Sequence, residues 1–421
     1  MPKITKIDID HIHKIEGHAG LIGLFLDGKI KKVKLEVKQG IRLIESILVS
    51  RNFEDAPIIT ARICGVCPVI HNICAIRALE NALKIKPSKK TINLRKLMLL
   101  GQIIQSHTLH VYFLCLSDFF KYKTTLDLIK RLPKASKWAL EVREFGNKLI
   151  STIGGRSIHP VATCIGGFKK LPSKENLEKL LNEQPEILKQ ALNLANLFSY
   201  LLYPEFKRKT EFVALTSNKE YAIYDGKVIS SSGLEFFPEK MPKEIKEIQY
   251  PSEPVKRVLH NSHPVMPGAL ARINLNYQKL NPSAKKVWQK FGVKLPTYNT
   301  FYNIFAQVTE IIHSIEESKK LLQQVIKSNE PVIKKYRIKA GRGIAACEAP
   351  RGTLYHDYTI DKKGIITKAN IITPTAQFIT NLEEDIKKFI PNLKKLNPEA
   401  RRQKIKMLIR AYDPCMTCSV H

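Results

Sequence analysis

Two Cys-x-x-Cys pairs stand almost a whole chain apart: Cys64-Gly65-Val66-Cys67, followed by Pro68-Val69-Ile70-His71, and Cys415-Met416-Thr417-Cys418, followed by Ser419-Val420-His421. Each pair sets two thiolates on one tight turn, and two such turns brought together offer four sulfurs to one metal centre. On spacing alone, Cys64, Cys67, Cys415 and Cys418 could hold structural zinc, an iron–sulfur cluster or another catalytic metal. The fold between them must then close the gap.

The other four cysteines, Cys74, Cys115, Cys164 and Cys347, are scattered singly and lack cluster spacing, and Cys74 and Cys115 read as small buried hydrophobes. Eight cysteines in 421 residues are too few for a disulfide framework, while four in pairs favour metal or redox chemistry in a reducing compartment. No apolar run reaches the roughly 18 residues of a membrane span, and Met1-Pro2-Lys3-Ile4-Thr5-Lys6 lacks a secretory apolar region. The chain reads as cytoplasmic, with no direct membrane span.

A formal charge of +31 raises nucleic-acid binding. The lysines are spread through nearly every segment, without an Arg-rich tail and with few interleaved aromatics, so acidic partner subunits or a plain Lys-rich composition explain the excess better. No nucleic-acid partner is expected. Gly341-Arg342-Gly343 does not form a dinucleotide fingerprint, so nicotinamide binding, where it occurs, belongs to a partner.

Stepping outward to the elements that position the cysteines, residues 4 to 10 predict a strand, and residues 21 to 26 and 29 to 37 a hairpin around Asp27-Gly28. Val33, Leu35 and Val37 alternate with lysines, giving that sheet one wet face. Helices are predicted over 41–49, 70–83, 94–120, 138–150, 176–202 with Pro185 as a candidate break, 302–328, 377–389 and 399–412. A second hairpin is expected over 212–229 around Asp225-Gly226, irregular structure over 238–267, and a turn at Gly364 between strands. At 44% apolar the chain can bury a large core. Residues 1–60 form an N-terminal sheet and the helix after it. Residues 61–421 form a helical core with inserted hairpins near 212–229 and 338–375, not an independently folding separation.

Ordered along the chain stand Lys14-Ile15-Glu16-Gly17-His18, Arg62-Ile63-Cys64-Gly65-Val66-Cys67 with His71, Gly155-Arg156-Ser157-Ile158-His159, Glu348-Ala349-Pro350-Arg351-Gly352, Thr373-Pro374-Thr375 and Arg410-Ala411-Tyr412-Asp413-Pro414-Cys415 with Cys418 and His421. Nearly end to end, this set resembles the large, catalytic subunit of cytoplasmic nickel–iron hydrogenases of the sulfhydrogenase or NAD(P)-linked type. The resemblance favours a catalytic metal over structural zinc, which spacing alone slightly prefers. It implies an α+β class with a large, mostly helical fold, in which a central long-helix bundle carries peripheral antiparallel sheets.

The resemblance also implies cofactors: nickel held by all four thiolates, with Cys64 and Cys415 terminal, and Cys67 and Cys418 bridging to an iron that carries one carbon monoxide and two cyanides. Glu16 is then the carboxyl that takes a proton near Cys415. Arg351 lies over the open metal position, with Pro350 beside the diatomic ligands and Asp118 orienting the guanidinium. Thr375 donates to a cyanide, and His71 hydrogen-bonds a bridging sulfur. His107 and His110 take supporting roles. His421 and Glu45 hold a magnesium, with iron as the substitute metal. Lys14 stands where the family has arginine, and a lysine cannot make the same planar contact.

Two electrons leave with each hydrogen and the chain has no second carrier, so the resemblance implies a small subunit with iron–sulfur clusters. It also implies further subunits carrying flavin, NAD(P) and iron–sulfur groups, and maturation proteins; many relatives are made with a short extension after the histidine matching His421 that a dedicated protease removes, and this chain is either the mature form or a product without it. A zinc-stapled basic interaction subunit and a metal-free relative in a quinone-reducing complex are the alternatives. Retention of four cysteines opposes the second.

Overall fold

Ser88 starts the central pillar, its hydroxyl accepting the Thr91 N–H at 3.2 Å as an N-cap. From there the computed structural model runs Lys89–Thr108 as α-helix, Leu109–Cys115 as a π-helical segment and Leu116–Phe120 as α-helix. The structure describes residues 4–27, 29–120, 122, 124–333 and 335–421. Residues 97–108 are buried at every position, as an apolar helix enclosed by protein must be.

Of three long helices, Pro133–Gly154, Lys174–Ser199 and Asn303–Lys327, the first and last pack on this pillar and the second packs on those two. The first crosses the pillar at two glycines, and a Cβ on Gly101 would meet the Gly146 carbonyl at 2.8 Å. The last runs antiparallel to it. Asn93 Nδ2 donates to Gln324 Oε1 at 3.0 Å near one end, and His107 Nε2 lies 2.8 Å from Glu310 Oε2 near the other.

Small sheets sit around the bundle, antiparallel except where Val265–Met266 pairs in parallel with the Glu211–Thr216 strand. The first joins Ile4–Ile9, Ala19–Leu26 and Lys29–Val37, with Val33 and Leu35 buried as the alternation predicts. Another joins Gly341–Ala349, Gly352–Ile360 and Ile366–Ile372 and packs on the Pro68–Leu83 helix. The predicted class, a mostly helical bundle with peripheral sheets, is the observed one.

Several expectations are corrected. The Lys174–Ser199 helix passes Pro185 unbroken, because Pro185 lies on its exposed side while Leu180, Gln184, Ile187 and Ala191 hold the buried side. The helix expected over 41–49 shrinks to Ile44–Leu48, since Leu43 sits in the left-handed region at φ 51°. The hairpin over 212–229 has no tight turn: Thr216 pairs with Lys227, and residues 217–226 form the connection. The stretch 238–267, expected to be irregular, contains a ribbon of Ile245–Ile248 with Arg257–His260. Gly28 lies outside the described residues.

One buried ionic cluster sits beside the pillar. Arg272 donates from Nε to Glu310 Oε1 at 2.6 Å and from Nη1 to Glu348 Oε2 at 2.8 Å, with its other N–H groups on the carbonyls of Ala349 and Pro350, both at 2.9 Å. Tyr221 adds a hydroxyl to Glu310 Oε1 at 2.6 Å. Buried charges survive only when paired this fully.

Burial pushes the imidazoles of His260 and His313 down to about 4 from the usual 6.5. The folded chain therefore refuses a proton that the unfolded chain accepts below about 6.5. Stability should be unaffected above that pH and fall between 6.5 and 4, by up to about 3 kcal/mol per histidine. Thermal midpoints across this window test the effect, and His260→Gln should flatten the dependence. A midpoint constant from pH 6.5 to 4 would contradict it.

Candidate metal centre

Cys67 is the N-cap of the Pro68–Leu83 helix, and Pro68 suits the first helical position because that N–H has no intrahelical partner. Gln102 on the pillar fastens this turn, its Oε1 accepting from Val69 N–H and its Nε2 donating to Val66 O, both at 2.8 Å. The second turn follows the Pro398–Ala411 helix, with Cys415 capping the short Met416–Ser419 helix. The two turns meet. Cys64 Sγ lies 3.5 Å from Cys415 Sγ, Cys67 Sγ lies 3.1 Å from Cys418 Sγ, and all four sulfurs fall within 4.8 Å of one another.

All four cysteines are buried. Hydrogen bonding from Cys415, then from Cys418 and Cys67, holds the Cys64 thiol well below its usual range, while burial pushes Cys415 and Cys418 well above it. Ionising all four thiols in a site this small and dry would need a cation to neutralise them. The donor set, four soft sulfurs, fits nickel, iron or zinc.

Glu16 reaches this cluster from the N-terminal segment. Its Oε2 lies 3.0 Å from Cys415 Sγ, and it accepts from Thr417 N–H at 3.1 Å and Thr417 Oγ1–H at 2.6 Å. The Glu16 carbonyl also takes the Met416 N–H at 2.9 Å. Gly17, at φ +80°, permits this approach, since a Cβ there would meet Met416 Cβ at 2.8 Å.

Arg351 is buried, near enough to the same sulfurs to feel their charge. Burial opposes its charge, but Asp413 and the sulfurs of Cys415, Cys67 and Cys64 hold the guanidinium protonated. Its Nε donates to Asp413 O at 2.8 Å and its Nη2 to Asp413 Oδ1 at 2.9 Å. Asp118, expected to orient Arg351, instead accepts both arms of Arg410, at 2.6 and 2.7 Å, and Arg410 in turn donates to His13 O at 3.0 Å. The physical reason is reach: Asp118 sits after the π-helical segment, facing the Pro398–Ala411 helix. Lys14 Nζ, where an arginine was the reference, donates to Ser117 Oγ at 2.6 Å.

Pro350 precedes Arg351, its carbonyl fixed by Arg272. Thr375 Oγ1 accepts from Cys415 N–H at 3.1 Å. His71 Nε2 lies 3.8 Å from Cys418 Sγ, its Nδ1 lies 3.2 Å from His356 Nε2, and His356 Nδ1 lies 2.6 Å from Tyr358 OH. His110 meets Gln307 Oε1 at 2.5 Å and the Arg410 carbonyl at 2.8 Å.

Glu45 and His421 also come together, with His421 Nε2 4.0 Å from Glu45 Oε1 and 2.8 Å from the Ile371 carbonyl. Glu45 accepts from Ile371 N–H at 2.8 Å and from Lys256 Nζ at 3.1 Å. A carboxylate, a carbonyl and an imidazole suit a hard or borderline divalent ion.

Sequence reasoning missed Asp413, although it lies inside the motif ending at Cys415; a lone acid beside a buried cysteine turn was the available signal. It also missed the Ile371 carbonyl, which backbone geometry alone reveals.

The family model for nickel-dependent hydrogenase matches residues 42–137 and 254–421. The chain belongs to this family. It is 33% identical to sulfhydrogenase 1 subunit alpha of Pyrococcus furiosus, over 99% of this chain and 97% of that one. To sulfhydrogenase 2 subunit alpha of the same organism it is 30% identical, over 99% and 98%. Its fold superposes on an NAD+-reducing [NiFe]-hydrogenase in the H2-reduced state with a TM-score of 0.89, at 24% identity and 99% coverage of both chains. This hydrogenase chain is thus a large, catalytic subunit, and its four-cysteine cluster is consistent with a nickel–iron active site.

With Asp413 as its anchor, Arg351 of the hydrogenase should lose its position in Asp413→Asn, cutting hydrogen turnover about 10²-fold, the scale of a displaced catalytic group. Asp118→Asn should act mainly on stability through Arg410. Hydrogen uptake with an artificial acceptor, read beside the thermal midpoint, separates them. Loss of turnover in Asp118→Asn at unchanged midpoint and metal content would reverse the assignment.

Proposed function

We propose that this subunit splits hydrogen reversibly into protons and electrons at a nickel–iron unit held by Cys64, Cys67, Cys415 and Cys418. These four thiolates would hold nickel together with an iron bearing one carbon monoxide and two cyanides, Cys64 and Cys415 on the nickel side and Cys67 and Cys418 shared with the iron. The observation that carries this reading is the Glu16 carboxylate 3.0 Å from Cys415 Sγ, at the edge of a buried four-sulfur cluster. When bound, the metal unit accepts the electrons of hydrogen and leaves a proton to be removed.

Glu16 lies within the distance a proton acceptor needs. Thr417 fixes its carboxylate with two hydrogen bonds, and its partial exposure gives the proton an outward path. Arg351 supplies a fixed positive charge that needs no reorganisation during the reaction. Burial pushes His71 down to about 3, so its imidazole is neutral. The assignment consistent with its partners has Tyr358 O–H donating to His356 Nδ1, His356 Nε2–H to His71 Nδ1, and His71 Nε2–H to Cys418 Sγ.

Glu45, His421 and the Ile371 carbonyl would hold a magnesium, or iron in its place, and so fasten the terminus beside Cys418. Electrons pass to a small subunit with iron–sulfur clusters. Exposed Ile41, Leu43, Ile47, Ile58, Ile158 and Val161 offer it an apolar docking face around the Cys64 turn, where His159 Nδ1 meets Ala61 O at 2.9 Å. Further subunits with flavin and iron–sulfur groups carry the electrons to NAD(P) or sulfur, a reading supported by the names of the relatives. Maturation proteins load the metals. A cytoplasmic location accords with eight cysteines free of disulfides.

Metal analysis of the isolated complex with infrared spectroscopy tests this reading. Nickel and iron with carbon monoxide and cyanide stretches are expected, and stoichiometric zinc without them would refute it. Glu16→Gln should keep the metals while lowering turnover and hydrogen–deuterium exchange by about 10²–10⁴-fold, the usual contribution of a positioned acid–base group. Full activity in that variant would remove Glu16 from the proton path.

A further inference from the structure

The Pro374–Phe389 helix begins inside the protein, beside the cysteine cluster: Thr375, its second residue, accepts the Cys415 N–H at 3.1 Å. Thr373 occupies the N-cap with φ −91° and ψ 153°, a conformation in which a threonine hydroxyl ordinarily caps the helix. Here it does not. No side chain caps this helix, and the Thr373 hydroxyl, in a residue with 0% exposure, has no hydrogen-bond partner among the described residues.

The backbone at this end is equally unsatisfied. The first bond into the helix is Gln377 N–H to Thr373 O at 3.4 Å, Pro374 has no N–H, and the Thr375 and Ala376 N–H groups meet no acceptor among the described residues. A hydroxyl and two amide donors therefore gather at the positive end of a 16-residue helix. Such a set favours an anion or the negative end of a dipole.

A free anion cannot reach this end from solvent, because Thr373, Pro374, Thr375 and Ala376 are all buried. An acceptor installed with the metal centre meets this condition. The terminal nitrogen of an iron-bound cyanide is an acceptor of that kind, fixed in position and delivered from within. The family resemblance assigns a cyanide contact to Thr375. The missing cap bond and the unpartnered hydroxyl single out a different residue.

We propose that Thr373 is a second hydroxyl donor to the iron's cyanides, positioned by the Pro374–Phe389 helix and specific to the threonine at this place in the chain. This inference rests on the nickel–iron reading above. Thr373 acts as a positioning residue for the diatomic ligands, and its effect is read in their vibrations.

The test uses the assembled holoenzyme with Thr373→Val and Thr373→Ala, each measured for nickel and iron content and by infrared spectroscopy. Metal loading equal to the parent is expected, with a cyanide band displaced to lower wavenumber, since a cyanide nitrogen that loses a proton donor vibrates more slowly. Thr373→Ser, which keeps the hydroxyl, should restore the band. If both hydroxyl-free variants fail to retain iron while Thr373→Ser loads normally, the hydroxyl is equally assigned to the centre. Cyanide bands at their parental positions in Thr373→Val and Thr373→Ala would overturn the inference and leave the nickel–iron reading intact. Absence of cyanide bands from the parent enzyme would instead remove the nickel–iron reading itself.

Discussion

Holding Cys64 within 3.5 Å of Cys415, across 351 positions of chain, sets the terms for the rest of the molecule. Closing so long a loop costs on the order of 5 kcal/mol in chain entropy alone, and the four sulfurs repel one another once ionised. The structure answers with ties that converge on the two turns. Arg42 takes the Val420 carbonyl through its backbone N–H at 2.8 Å and donates from its guanidinium to the carbonyls of Ile63 and Arg62, both at 2.7 Å, so one residue grips both turns. Gly17 and Glu16 clasp Met416 and Thr417 from another side. These ties hold the two turns together through groups other than the sulfurs.

The second constraint is electrostatic. Arg351 must carry its charge within a dry interior, so the turn that presents it is fixed on both sides. Asp413 grips the guanidinium, and Arg272 grips the carbonyls of Ala349 and Pro350 just before it. Arg272 is itself balanced by Glu310 and Glu348, and Glu348 accepts from Leu215 N–H at 2.7 Å and Thr353 Oγ1 at 2.8 Å. A cluster this completely paired adds little net stability over apolar packing, but it admits few alternative arrangements. Its value is the fixed placement of one charge.

The helices were the most legible part of the sequence, because their apolar periodicity runs over many residues and survives local exceptions such as Pro185. The cysteine centre was legible as spacing, and the order of the surrounding motifs named its family. What could not be read was the choice of partner among nearby charges. Asp118 and Asp413 both stand close in sequence to site residues, and only the crossing of the 398–411 helix over the π-helical segment decides that Asp118 meets Arg410. Short strands such as Ile245–Ile248 were missed for a related reason: four residues carry too little alternation to stand out from a proline-rich stretch.

On the proposed reading, the geometry keeps protons and electrons apart. Glu16 lies on the Cys415 side, reached through the N-terminal segment, while the exposed apolar residues lie around the Cys64 turn. The sulfurs between them are sealed, and the neighbouring imidazole of His71 is kept neutral by burial, so it offers a hydrogen bond to Cys418 without competing for the released proton. Near the sulfurs Arg351 is a permanent cation and His71 a neutral donor, and Glu16 is the carboxylate in contact with a cysteine sulfur. A proton released at Cys415 then has a short transfer to Glu16 available, and the partial exposure of Glu16 sets its outward direction.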